Sequence, residues 1–573
     1  MISKKLPSLE RPWMKYYPSE FIENLTVPEC TLGEYLQQNS SGEHVTAIHY
    51  YGRDVSWKEV FDTSKKTARS LRALGFSEGS QIPVFFKAMP EFIFLLLGAE
   101  IIGASLLCRD NTLEENVEAT KKSQAKTIFA HDYLSQGDLN IYRKDSKIHQ
   151  AVLLSPYEGV NRLDVPSHIH SYIQSQYPNE PAYGPQIMSW KEFLALGESY
   201  EGIVEAEKDI NRALFRAYTS GSTGPSKQVI HSAKTMVGNI CQMNFYGAND
   251  EFRPTWLVTH LPTALVAVVV AMYLLPMASN KLLILDPFCD FDDIDLELMR
   301  YRPNCWPLIP MFIEIIMKSK RIPEDYDMSH LMAAGAGCEA LNNSQFDRIQ
   351  DFLTNRNCNI RFTSGYGSSE GCSNMTLPLT EHPMGNGNVG IPMPLTLISI
   401  FEPGSQQELS YNQIGEICCS SPSVMLGYDN EYMTRMALQQ HDDGQIWLHT
   451  GDLGYMNEDG VVYVLSRGRS PRFGMADLEL LPMENYLADC KIPGIKDAFY
   501  VFINDPEHES CFLPVLYVVL YDGYKFDNVA EDIRASLEPH MQPIEIIELD
   551  ERPFFHFKTN RVNLAREFNE RLK

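Results

Sequence analysis

The chain lacks a surplus of positive charge. Its 573 residues carry 49 Lys and Arg against 74 Asp and Glu, a formal net charge of -25. Nucleic-acid phosphates are held by clustered Lys and Arg, so nucleic acid is excluded as a partner, and the same balance argues against docking on an anionic membrane. Long apolar runs are also missing. The most apolar stretch, Leu261 to Met277, is interrupted by Pro262, Thr263 and Pro276. It falls short of the ~20 residues of a spanning helix and reads as buried core. No apolar segment follows the basic residues of the N-terminal MISKKLPSLERPW, so no signal peptide is expected. The 12 cysteines form no C-x-x-C pair, which excludes a disulfide framework and a zinc motif and fits a reducing cytoplasm. No internal repeat or low-complexity tract appears. There is no Walker A loop either, because Ser226 stands before Lys227 where that pattern requires Gly.

What is present is an ordinary globular composition, 44% hydrophobic, in a chain too long for one compact core. His49–Tyr51 and Gln81–Phe86 read as strands. Trp57–Leu74 has helical spacing up to Gly75, and Glu91–Ile102 reads as a buried helix closing at Gly103. Strands alternating with helices predict an α/β fold with largely parallel sheets. Residues 131–190 read as irregular connections. The five aspartates of Asp286–Asp295 match no EF-hand spacing and read as a solvated helix start.

The densest chemical signal is Tyr218–Lys227, YTSGSTGPSK, between strands expected at Ala213–Ala217 and Gln228–His231. Thr219, Ser220, Ser222 and Thr223 bring hydroxyls. Gly221 and Gly224 let backbone N–H groups approach an anion, and Lys227 adds a point charge suited to phosphate. Gly365–Glu370, GYGSSE, places Tyr366 between Gly365 and Gly367, which predicts an exposed ring fit to stack on a planar base. Glu370 is a hard oxygen ligand suited to Mg²⁺. Thr450–Tyr455, TGDLGY, sets Asp452 beside a glycine, where a carboxylate can accept both hydroxyls of a ribose. Arg467 or Arg469 supplies a fork for an oxygen-rich ligand. Lys558 and Arg561 follow Pro553 in PFFHFKTNR.

In this order the motifs resemble those of the AMP-forming adenylating enzymes: acyl-CoA synthetases, aryl-CoA ligases, luciferases and peptide-synthetase adenylation domains. The likeness runs from about residue 45 to 561 and is nearest in look to acyl-CoA synthetases. It implies a large N-terminal adenylate-forming domain over residues 1–467, built of α/β subdomains, and a small mobile α+β domain over residues 468–573. By the resemblance, Thr219–Gly224 and Lys227 hold the β- and γ-phosphates, and Ala334–Gly337 with Gly335 packs on the nucleotide. Gly365, Tyr366, Gly367 and Ser369 form the adenine segment, with Ser369 where Thr is usual. Glu370 takes Mg²⁺, Asp452 and Arg467 take the ribose, and Lys558 catalyses adenylation. Gly415–Ile417 and Gly427–Tyr428 are given to packing. ATP, Mg²⁺ and CoA are the implied cofactors.

Three departures matter. Phe557 replaces the glycine before Lys558. The hinge reads SRGRSPRFGMADLELLPME, with Ser470 and Pro471 where an acid or Lys is usual and Ala476 and Asp477 near the usual glycine pair. The acyl-pocket entrance reads Leu261-Pro-Thr-Ala-Leu265, with no acid through Met277 to hold a substrate ammonium. An apolar carboxylic acid, fatty or aryl, is therefore expected in place of an α-amino acid. The altered hinge leaves a carrier-protein phosphopantetheine as an alternative acceptor. A non-catalytic nucleotide-binding relative is a third reading.

Overall fold

The structure is a computed structural model. It describes residues 5–19, 25–109, 112–176, 184–219, 226–244, 253–307, 309–337, 341–379, 385–467, 472–473, 476–477, 480–506, 512–555 and 558–571.

The expected α/β alternation is set by local signals. Ser56 caps the helix Trp57–Ala73, its Oγ accepting the Glu59 N–H at 3.2 Å. The helix Pro90–Ile102 opens on proline and closes at Gly103, whose φ of 73° only glycine adopts cheaply. These two helices pack on each other. Glu91, fully buried in the second, is paired with Arg53 at 2.7 Å.

The connecting strands join two large sheets. An eight-stranded sheet runs Gly427–Tyr428, Gln228–Ser232, Ala213–Tyr218, Ser105–Cys108, Gln81–Phe85, Thr127–His131, Gln150–Leu154, Ile187–Ser189. It is parallel except at its first two pairings. A seven-stranded sheet runs Thr363–Ser364, Ala333–Ala336, Cys305–Pro307, Thr255–Thr259, Leu282–Asp286, Thr46–Tyr50, Arg53–Ser56. It is parallel except at its last. One continuous apolar cluster spans both sheets and the helices between them. A five-stranded antiparallel sheet carries Gly415–Ser420, Ile446–Met456 and Val462–Arg467. Beyond Leu480, the strands Ile495–Asn504, Phe512–Leu520 and Glu545–Glu548 form a small α+β unit with two core clusters of its own. Asn343 N–H donates to Asn485 Oδ1 of this unit at 2.9 Å, and Arg348 donates to the Lys496 carbonyl at 3.1 Å. No helix among the described residues is long and apolar enough to cross a membrane.

Two expectations are corrected. Residues 131–190 are not mainly irregular. They hold helices Gln136–Asp145 and Ser167–Gln176 and strands Gln150–Leu154 and Ile187–Ser189. The Ser135 cap and the single apolar run Ala151–Leu154 are signals that the Pro- and Tyr-rich composition obscured. The aspartate run is not wholly solvated. Asp286 is buried and accepts the Tyr51 hydroxyl, and Asp295 is buried against Arg321. Asp286 ends a parallel strand that is buried from Leu283 onward, and burial holds its carboxyl well above the usual carboxylate range. Val266 and Val268–Val270 lie in the core as expected, the last three on a π-helical stretch over Val268–Leu274.

Candidate active site

The phosphate-loop motif sits in a hairpin. Strand Ala213–Tyr218 runs antiparallel to Gln228–Ser232. Thr219 N–H donates to the Lys227 carbonyl at 2.9 Å and Lys227 N–H to Thr219 Oγ1 at 3.0 Å, while Ser226 Oγ donates back to the Thr219 carbonyl at 2.6 Å. The loop's ends are thus fixed. Ser220, Gly221, Ser222, Thr223 and Gly224 lie outside the described residues. Gln228 turns inward, donating to Tyr218 Oη at 3.1 Å and accepting from Arg216.

The adenine segment leaves the carboxyl end of the parallel strand Thr363–Ser364, beside Gly335 on the neighbouring strand Ala333–Ala336. Carboxyl ends of parallel strands are where open α/β sheets bind ligands. Gly367 is required there by contact, since an added Cβ would lie 1.8 Å from the Ser373 carbonyl oxygen. Tyr366 is not exposed as its flanking glycines suggested. It is 9% accessible, its N–H donates to Thr376 Oγ1 at 3.0 Å, and its hydroxyl donates to Asp452 Oδ2 at 2.6 Å. The glycines serve the backbone's close packing and leave the ring tucked in.

Asp452 reaches Tyr366 from the five-stranded sheet. Gly451, at φ +74°, turns the strand, and its N–H donates to Glu416 Oε1 at 3.0 Å. The strand register sets Arg467 directly opposite Asp452, so the two expected ribose residues share one ladder position. Arg469 and the side chain of Arg467 lie outside what is described. The predicted adenine and ribose residues therefore meet, although they are 86 positions apart in sequence.

A second group forms around Tyr428, a residue the sequence assigned to packing alone. Its hydroxyl donates to Glu370 Oε1 at 2.7 Å, and the Lys227 ammonium lies 5.0 Å from its ring centroid. Tyr428 thus links Lys227, expected at the phosphates, to Glu370, the expected Mg²⁺ ligand. His231 adds a further link. Its Nε2–H donates to the Ser369 carbonyl at 2.8 Å, tying the strand that leaves the phosphate loop to the adenine segment. Burial pushes the His231 pKa down to about 4, so its imidazole is neutral at pH 7. Gln228 and His231 lay outside every motif and Tyr428 in one given to packing, and their strand positions read as ordinary core. Lys558 lies elsewhere, on the C-terminal hairpin Phe554–Phe555 and Lys558–Thr559. There Arg552 donates to Thr559 and binds Asp497 through two nitrogens.

The AMP-binding enzyme family model matches residues 36–429. The chain belongs to the AMP-binding enzyme family. A 4-coumarate–CoA ligase of Vanilla planifolia is 25% identical over 83% of this chain and 81% of its own length. The 4-coumarate–CoA ligase-like 1 of Arabidopsis thaliana is 22% identical over 91% of the chain and 90% of its own. Among solved structures, ATP-bound MatB from Rhodopseudomonas palustris superposes with a TM-score of 0.76 at 20% identity, covering 95% of this chain and 99% of MatB. The anthranilate CoA ligase AuaEII bound to anthranoyl-AMP reaches 0.78 at 14% identity, covering 96% and 99%. As a member of this family the chain is an AMP-forming adenylating enzyme with the large and small α/β parts expected of it.

Proposed function

We propose that the protein activates an apolar carboxylic acid, fatty or aryl, with ATP and passes the acyl group to the thiol of CoA. The observation that carries this reading is the meeting of Tyr366, beyond the carboxyl end of the seven-stranded sheet, with Asp452, and of Lys227 with Tyr428 and Glu370, at the antiparallel edge of the eight-stranded sheet, in a chain of this family. The CoA ligases among its relatives support the acceptor.

In the first step the substrate carboxylate oxygen bonds to the α-phosphorus of ATP. The bond from that phosphorus to the bridging oxygen breaks, and pyrophosphate leaves with the electron pair. In the second, the acceptor sulfur bonds to the acyl carbon and AMP leaves. No protein nucleophile is needed, because positioning and charge do the chemistry. Lys227 and the Thr219–Gly224 loop hold the β- and γ-phosphates. Tyr366 borders the base, with Gly335 behind it, and Asp452 with Arg467 takes the ribose hydroxyls. Lys558, brought in by the C-terminal unit, balances the charge that grows on the α-phosphate. A carboxylate that accepts one hydrogen bond keeps further lone pairs, so Glu370 fits Mg²⁺ while Tyr428 orients it. The ion would supply charge neutralisation on the phosphates.

Acid-dependent exchange of pyrophosphate into ATP, screened across fatty, aryl and amino acids, tests the first step. Lys558→Ala should lower exchange by ~100-fold or more with an unchanged melting curve. Exchange that survives in this variant removes Lys558 from catalysis. Mass detection of an acyl-CoA tests the second step. A second reading, loading of a carrier-protein phosphopantetheine, is favoured by the hinge: Arg472–Phe473 pairs with Ala476–Asp477 where the family has its glycine pair. Exchange without thioester on CoA would select it.

A further inference from the structure

Behind the ribose-binding turn lies a group of side chains the reaction does not use. Glu416 and Cys418 project from the same face of strand Gly415–Ser420, and His449 faces them in cross-strand register with Cys418. His449 Nδ1 lies 2.9 Å from Glu416 Oε2 and 3.5 Å from Cys418 Sγ. All three ligand atoms fall within 4.8 Å of one another. Around one tetrahedral Zn²⁺, sulfur and nitrogen ligands stand ~3.5 Å apart and nitrogen and oxygen ~3.3 Å apart. The sulfur–nitrogen pair already meets this, and the nitrogen–oxygen pair must open by roughly half an ångström.

A fourth residue aims into the group. His441, 6% accessible, sets its Nε2 3.0 Å from His449 Nε2, and its Nδ1 is a buried nitrogen with no hydrogen-bond partner. Metal-bound histidines commonly donate their second ring N–H to a fixed acceptor, and the His441 Nε2 stands where His449 would need one. The four residues are drawn from two strands and the turn after Leu438–Gln440. No C-x-x-C spacing could announce them.

We propose that Glu416, Cys418 and His449, with His441 behind His449, form a site for one borderline divalent cation of the zinc class, separate from the Mg²⁺ position at Glu370. Binding replaces the thiol proton of Cys418, which leaves to solvent, with a metal–sulfur bond. The His449 proton moves to Nε2 and is donated to His441. Glu416 also accepts the Gly451 N–H, so the cation would bear on the turn that presents Asp452.

Titrating Co²⁺ into the reduced, chelator-treated full-length protein tests this. The expected result is one Co²⁺ per chain with a thiolate-to-cobalt charge-transfer band, displaced by Zn²⁺. Cys418→Ser should abolish the band. Glu416→Gln should keep it while weakening Co²⁺ at least tenfold. A wild type without the band, or a band unchanged in Cys418→Ser, overturns the site. Should Cys418→Ser not fold, unchanged Co²⁺ affinity in both Glu416→Gln and His449→Gln overturns it equally.

Discussion

Tyr366 and Asp452 each depend on the other for position. Asp452 is 8% accessible, and a buried carboxylate needs donors. The phenol supplies one at 2.6 Å. Hydrogen bonds to charged groups contribute ~1.5–3 kcal/mol. Tyr366→Phe keeps the ring and removes this bond, so the KM for ATP should rise about tenfold with little change in kcat. Steady-state kinetics in ATP checks this, and an unchanged KM would mean that Asp452 holds its place without the phenol. Both residues stood out in the motifs, but their contact was not legible there. A turn flanked by glycines looks open in one dimension, and burial came from a sheet that starts many residues later.

At the scale of elements, the phosphate hairpin, the adenine segment and the strand end at Tyr428 act as one bracket. Gly367 is its tightest point. Gly367→Ala would push a Cβ to 1.8 Å from the Ser373 carbonyl, backbone that cannot step aside cheaply. Overpacking of this kind costs ~1–3 kcal/mol or more. A lower denaturation midpoint and weakened ATP binding together are the expected outcome. Titration tests the bracket independently. His231 is held at about 4 in the folded protein against an unfolded value near ~6.5, so the unfolded state binds the extra proton between those limits. Its stabilising contribution is complete above pH ~6.5 and is lost as pH falls toward 4, at ~1.4 kcal/mol per pH unit. His131 and His260, both held near 3 chiefly by burial, add slopes of the same sign. Urea melts from neutral to acid pH should therefore steepen in loss below pH ~6.5, and His231→Gln should flatten the curve by about one proton. An identical slope would place the acid sensitivity elsewhere.

These elements also show what sequence could and could not supply. The helices Trp57–Ala73 and Pro90–Ile102 were legible from helical spacing, an apolar run and the closing Gly75 and Gly103, all of which are local signals. Tyr428 and Glu370 are 58 positions apart and meet only because Gly427–Tyr428 adds an edge to the eight-stranded sheet. Nothing in a window of either residue encodes that pairing. The helices and strands within residues 131–190 were missed for a nearer reason, since proline and tyrosine drew attention away from the Ser135 cap.

For the whole molecule, charge decides how ATP arrives. A net charge of -25 repels the polyanion at a distance, while in the proposed function Lys227 and Lys558 would attract it close in. Salt screens the long-range part first, over a Debye length of ~10 Å at about 0.1 M. Raising ionic strength from ~0.01 to ~0.1 M at fixed free Mg²⁺ should raise kcat/KM for ATP and leave inhibition by uncharged adenosine unchanged. A falling kcat/KM would mean that the local lysines dominate the approach.

The single imidazole of His231 joins two segments 138 positions apart. Neither can wander in sequence alone. A descendant that lost the ring would strand the Ser369 carbonyl and shift the segment that follows it, so the two stretches are bound to a shared history of substitution.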